Sequence, residues 1–278
     1  MKIIIMLFAF CAFAGSTHAQ EASCPDNTVE ISRETVSGAD ADTIKLRCRR
    51  IDKLTSAEIA GLTAEAMAKL SPENRLRINF RKRLLSSDER SFPLNAPLTN
   101  GSGNRSAFNY FKVIEQFDVE KSARYEPGSR TYCNIFVWDV TRAMGAEIPH
   151  WIIKKDNNGG SAVDSGGAYT VDRKDRKEML ANETVGWLHE HGKTHGWKRI
   201  DARMAQQMAN EGHPSIAIWE NPDPGIPGHI AVIRPGSAGD ERGGAISQAG
   251  GLVLDASHIE TGFTDKDHEK RIQYWYHE

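Results

Sequence analysis

The sequence predicts an α+β protein, with helices first and a run of antiparallel strands after them. Three observations predict it. Apolar residues four apart follow helix-capping signals between residues 55 and 84, and helical periods recur at 109–117, 135–143 and 202–210. Two β-branched runs, Ser215–Trp219 and His229–Arg234, are bounded by Pro or Gly, with shorter runs at Ala245–Gln248 and Leu252–Asp255. These runs follow one another through tight turns and do not alternate with helices, which argues against a parallel βαβ sheet.

At the start, Lys2 precedes the apolar run Ile3–Ala14, and Thr17-His18-Ala19 supplies small residues at signal-peptidase positions. Residues 1–19 are expected to be a secretory signal peptide, too short to anchor, since a spanning helix needs roughly 20 apolar residues. Cys11 lacks the small preceding residue of a lipoprotein signal. The expected protein is periplasmic or secreted, with no stable membrane anchor. Residues 20–100 form a small, mainly helical N-terminal region. Its first part, to residue 50, is polar and extended. Thr55-Ser56-Ala57-Glu58 is a capping box opening a helix with Ile59, Leu62, Ala66 and Leu70 on one face. Ser71-Pro72 starts a second helix carrying Leu76, Phe80 and Leu84. Its Arg75, Arg77, Arg81, Lys82 and Arg83 read as a solvated face, or alternatively as a patch for an anionic polymer. Ser86–Ser106 is rich in Ser, Asn, Gly and Pro, and Asn100–Asn104 reads as the linker to a second domain over 107–278, which holds all six tryptophans.

A net charge of −2 excludes the basic balance typical of nucleic-acid-binding domains, so no nucleic-acid partner is expected. The cysteines are more informative. Four are encoded, and Cys24, Cys48 and Cys133 remain after residue 19. Pairing Cys24 with Cys48 would close a loop of about 25 residues, worth roughly 3 kcal/mol. Cys133 is then left over, as a buried structural thiol or a reactive one.

Cys133 opens a helical segment in Thr131-Tyr132-Cys133-Asn134-Ile135. A helix N-terminus favours thiolate, and its free N–H groups can hold an oxyanion. His229 follows a tight turn and opens a strand in Gly228-His229-Ile230-Ala231-Val232-Ile233-Arg234-Pro235. This order resembles the papain-like cell-wall cysteine hydrolases, namely the NlpC-type peptidases and the cysteine- and histidine-dependent amidohydrolases/peptidases, over Phe108–Phe263. The resemblance implies a papain-like core, a nucleophile helix packed on an antiparallel sheet, with Cys133 as nucleophile and His229 as base. It also implies a third polar residue on the next strand to orient the imidazole. Gln248 stands there, where the resembling families carry Asn or an acid; Asp255 and His258 are the competitors.

Tyr125 is a further candidate, as a hydroxyl for the oxyanion site. His150-Trp151 reads as a subsite wall or as core packing, and Asp139 as a local cap or salt bridge. His189-Glu190-His191 with His195 is not an H-E-x-x-H motif, and is expected to be a solvated or substrate-lining loop. No metal or other cofactor is expected. The function these readings imply is an exported cysteine hydrolase cleaving amide bonds in peptidoglycan stem peptides. The alternatives are a protease or toxin-like effector acting on proteins, and a non-catalytic cell-wall-binding module.

Overall fold

The structure is a computed structural model, and it describes residues 24–37, 42–88, 90–153, 172–236, 244–263 and 271–278. The expected signal peptide lies outside them. The chain divides into two compact units, Met1–Leu70 and Ser71–Glu278.

In the first unit, β1 (Thr28–Ser37) and β2 (Asp42–Arg50) pair antiparallel from Thr28↔Arg50 to Ser37↔Asp42, with a bulge between Glu30 and Ser32. The Cys24–Cys48 disulfide links β2 to the segment entering β1. This long hairpin lies in the stretch read as polar and extended, and the helices expected after it follow. The capping box at Thr55 is formed as read, with both reciprocal bonds. The helix expected over 55–70 is instead two, α1 (Ser56–Gly61) and α2 (Ala64–Ala68). Thr63 accepts from the Ala66 N–H and caps a new start, while Leu62 is extended with ψ 125°. A glycine at the end of α1 and a strong capping residue two places later outweigh the continuing apolar period. Ile59, Leu62, Ala66 and Leu70 are all buried despite the break.

The second unit begins with α3 (Pro72–Leu84), capped by Ser71 through the Asn74 N–H. The boundary therefore falls between Leu70 and Ser71, not at the 100–107 linker. Phe80, Leu84 and Leu94 belong to the core of the larger unit, and the Asn100 N–H donates to the Ala143 carbonyl. A polar, glycine-rich segment is here tied down by its backbone, which composition does not report. Next come α4 (Ala107–Glu115) and α5 (Cys133–Ala143), then the small pair β3 (Trp151–Ile153) and β4 (Arg176–Glu178). The segment α6 (Ala181–His191), β5 (Trp197–Ile200) and α7 (Ala202–Asn210) leads into β6 (Ser215–Trp219) and β7 (His229–Ile233). After β8 (Ala245–Ala249) and β9 (Val253–His258), a short α8 (Ile259–Gly262) precedes β10 (Gln273–His277).

Six strands form an antiparallel sheet in the order β5-β10-β6-β7-β8-β9. The architecture is α+β. The strands β6 to β9 are consecutive neighbours, the meander read from the sequence. The C-terminal β10 inserts between β5 and β6, a non-local pairing with no local signal. β6 is buried along its whole length, and β7 along all but His229. Helix α5 packs on β7 and β8, and nearly every one of its residues is buried. A helix buried on nearly every side is a core element, so whatever its first residue presents is held by a rigid support. No helix among the described residues is long and apolar enough to cross a membrane.

Candidate active site

The site is assembled where the start of α5 meets the start of β7 and the end of β8. Cys133 is the first residue of α5, and the Tyr132 N–H before it donates to the Ala249 carbonyl at 3.0 Å. The helix start is thereby fastened to the end of β8. Cys133 is a free thiol and 6% exposed. Its sulfur meets the His229 imidazole and the N–H groups of Asn134 and Ile230. One of those donors belongs to the first turn of the helix and the other to β7, so the sulfur sits where two elements aim N–H groups at it.

His229 opens β7 in the position read from the sequence. Gly228 precedes it because any side chain there would strike the Trp219 carbonyl and the Asn182 side chain. Gly250 serves the same end, since a Cβ there would lie 2.8 Å from the imidazole Cε1. The pairing of Val232 with Ser247 continues to place Gln248 beside Ala231, on the face of the sheet that carries His229. The Gln248 Oε1 lies 2.8 Å from the His229 Nε2. Its amide nitrogen donates to the Leu252 carbonyl at 3.1 Å, which a carbonyl can only accept, so the oxygen faces the ring. The imidazole then carries a hydrogen on Nε2, and Nδ1 is left toward the sulfur. The Phe263 ring lies 4.8 Å from the imidazole, tilted at 55°.

The electrostatics follow from these contacts. Burial, the largest single influence, pushes the Cys133 thiol up, but the His229 hydrogen bond and charge, with the two backbone N–H groups, bring it below its ordinary value. Burial also pulls His229 down, and the bond to Cys133, its charge and the Gln248 bond together raise it. The contacts therefore shift both groups toward thiolate and imidazolium relative to the isolated side chains. The sign is definite. As pH falls through the lowered Cys133 value the thiolate is lost, and as pH rises through the raised His229 value the imidazolium is lost. Iodoacetamide should alkylate Cys133 at pH 6 roughly tenfold faster than an ordinary thiol of pKa about 8.5. Intact-mass kinetics over pH 5–9 check this. A rate that climbs only around pH 8.5 would mean an unactivated thiol.

The competitors for the third position have other partners. Asp255 lies 3.5 Å from the Arg234 guanidinium, and its carboxyl is raised by burial and by the neighbouring Glu115. The His258 side chain caps α8 by accepting from the Glu260 N–H. Tyr125 is also placed elsewhere than expected. It is fully buried, and its hydroxyl donates to the Asp139 carboxylate at 2.7 Å, not to an oxyanion site. Asp139 does form a salt bridge, and a buried one. Arg124 grips it through Nε at 2.7 Å and Nη2 at 3.0 Å. His150 and Trp151 are core residues, 1% and 6% exposed, which removes the subsite-wall reading. His150 stacks on Trp138 at 4.9 Å, and burial holds its imidazole down to about 3.

The histidine cluster is not a loop. His189 and His191 lie on α6, and His195 ends the 3₁₀ turn after it. His189 Nε2 is 2.9 Å from the Gln273 Oε1, and His195 lies 5.0 Å from the Trp187 ring. Among the described residues no group of three His, Cys, Asp or Glu side chains is placed to hold a metal ion.

Two residues outside the sequence reading organise the site. Arg90 donates to the carbonyls of Ala123, Arg124 and Glu126 and to the Tyr132 hydroxyl, fixing the loop that enters α5. Asn182 accepts from the N–H groups of both Asn221 and Gly228, each at 3.0 Å, and donates to the Ile226 carbonyl, holding the loop that delivers His229. Neither has a local signal: one lies in a polar linker and the other at an ordinary helix start. Comparison with protein-family models and with curated proteins finds no match to this chain.

Proposed function

We propose that this protein is an exported cysteine hydrolase with a papain-like core, cleaving amide bonds in peptidoglycan stem peptides. The observation that carries the reading is the Cys133–His229–Gln248 chain of contacts: a shielded thiol at a helix start, hydrogen-bonded to an imidazole whose other nitrogen is held by an amide oxygen. Nucleophile, base and orienting group in that order are what acyl transfer through sulfur requires. The thiolate attacks the carbonyl carbon, and the N–H of Cys133 at the helix start stabilises the oxyanion. The C–N bond then breaks as the His229 imidazolium protonates the departing amine. His229 next deprotonates a water, which attacks the thioester carbon, and the sulfur leaves as thiolate. The carboxylic acid product departs and the pair is restored.

Export is supported by the leader-like residues 1–19 and by the Cys24–Cys48 disulfide, a bond that persists in oxidising compartments. Stem peptides are the abundant amides met outside a bacterial membrane, and this supports the substrate. The test is mass spectrometry of purified peptidoglycan incubated with residues 20–278, run beside a panel of folded and unfolded proteins. New muropeptide termini from peptidoglycan, with the protein panel intact, are expected. Cleavage of the proteins alone would replace the substrate by a protein, and cleavage of neither would leave a binding module.

A further inference from the structure

His229 stands on the first rung of the β6–β7 pairing, opposite Trp219, and residues 220–228 between the two strands contain no helix or strand. The end of a ladder is where strands open most easily, so the place of the imidazole depends on what fixes this loop. Part of the fixing is internal. The Asn221 and Asp223 side chains accept from the Asp223 and Gly225 N–H groups, and the Ile226 N–H donates to the Asp223 carbonyl at 3.0 Å. Such bonds shape the loop but do not set where it lies against the rest of the unit.

Asn182, the second residue of α6, makes that connection. Its Oδ1 accepts from the Asn221 and Gly228 N–H groups, each at 3.0 Å, and its Nδ2 donates to the Ile226 carbonyl at 3.1 Å. Both ends of the loop are thereby drawn onto one amide. A carboxamide suits the task because one planar group supplies two lone pairs and N–H donors, whereas a carboxylate could only accept. The support is rigid, since Thr184, Val185, Trp187 and Leu188 of α6 are buried. Gly228 lies between the Asn182 side chain and the Trp219 carbonyl, with no room for a Cβ, and the next residue is His229. We propose that Asn182 is a positioning residue for His229, setting through Gly228 the distance from the imidazole to the Cys133 sulfur. The proposal rests on the hydrolase reading for the reaction it serves, but not for the thiol–imidazole contact that its first readout follows. A displacement of about 1 Å at a reacting group costs about 10²-fold in rate.

Asn182→Ala in residues 20–278 tests it, with Asn182→Leu as a second variant of nearly the parent volume and Gln206→Ala as control. Gln206 is a comparable amide clamp at the far end of the same strands: its Oε1 accepts from the Ala245 N–H at 2.8 Å and its Nε2 donates to the Arg234 carbonyl at 2.9 Å. Asn182→Ala should slow iodoacetamide alkylation of Cys133 at pH 6 about tenfold and move its pH profile toward that of an ordinary thiol, pKa about 8.5. Gln206→Ala should melt at a lower temperature and keep the parent profile. Asn182→Asp, which still accepts from both N–H groups, should recover most of the alkylation rate. On a soluble peptidoglycan fragment, Asn182→Ala should lower kcat about 10²-fold and leave KM within about threefold. A parent-like alkylation profile in the alanine or leucine variant, or an equal shift in Gln206→Ala, would overturn the positioning role. A shifted profile in a protein whose parent cleaves no peptidoglycan keeps that role and removes the hydrolase. Cleavage by the parent with an unshifted profile in Asn182→Ala does the reverse.

Discussion

Replacing Cys133 by alanine should lower peptidoglycan hydrolysis by at least about 10⁴-fold while leaving the protein folded. In the proposed mechanism the Cys133 thiol forms the acyl bond, so no partial mechanism survives its loss. The fold should tolerate the change, because only one sulfur is removed from a support whose other residues, Ile135 to Val140, remain packed. A melting temperature within a few degrees of the parent protein, measured beside the digestion assay, separates lost chemistry from lost structure. His229→Ala should be comparably inactive, since the thiolate loses its stabilising charge and the leaving amine its acid. Gln248→Ala should cost less, about 10²-fold, because it frees the imidazole to turn without removing it. Residual hydrolysis near the parent rate in Cys133→Ala would end the mechanism outright.

The second large effect concerns stability. Asp139→Ala should destabilise the larger unit by about 3–5 kcal/mol, a large share of the 5–15 kcal/mol typical of a folded domain. Both members of the Arg124–Asp139 pair are fully buried, and the carboxylate also accepts from Tyr125. Removing it takes from a buried guanidinium the carboxylate that grips it and from a buried hydroxyl its acceptor. Arg124 cannot respond by losing its proton, because its guanidinium is held above its ordinary value while that carboxylate is present and lies far above neutral without it. Urea unfolding followed by tryptophan fluorescence should show a lower midpoint with little change in slope. The variant that remains folded should keep Cys133 alkylation at pH 6, since the sulfur's hydrogen bonds are to His229, Asn134 and Ile230. Loss of less than about 1 kcal/mol would show that the pair contributes little beyond what its neighbours supply.

Much of this was legible locally. The capping box at Thr55, the Ser71-Pro72 start, the helix over 202–210 and the strands from Ser215 to Asp255 depend on short-range hydrogen bonds and on apolar period. Cysteine parity made Cys133 the unpaired thiol, and the order of Gly228-His229 before an apolar strand made that histidine stand out. Other features were less legible. The break between α1 and α2 was a contest between two signals, continuing period and a second cap. Helix α6 was hidden because its histidines drew attention as a polar cluster. Trp187 and Leu188 beside them are buried, and this burial is what makes it a packed helix.

What the sequence determined by itself was the set of local preferences: an α+β order, a disulfide-compatible pair, a thiol at a helix start and a histidine at a strand start. The tertiary structure decided who meets whom. Strand pairing across β7 and β8 chose Gln248 over Asp255 and His258 as the neighbour of the imidazole. It also sent Tyr125 to Asp139 and inserted β10 into the middle of the sheet. The physical reason is that capping and periodicity act over three or four residues, whereas register and burial are set by partners far apart in the chain, whose agreement is read only once the sheet has formed.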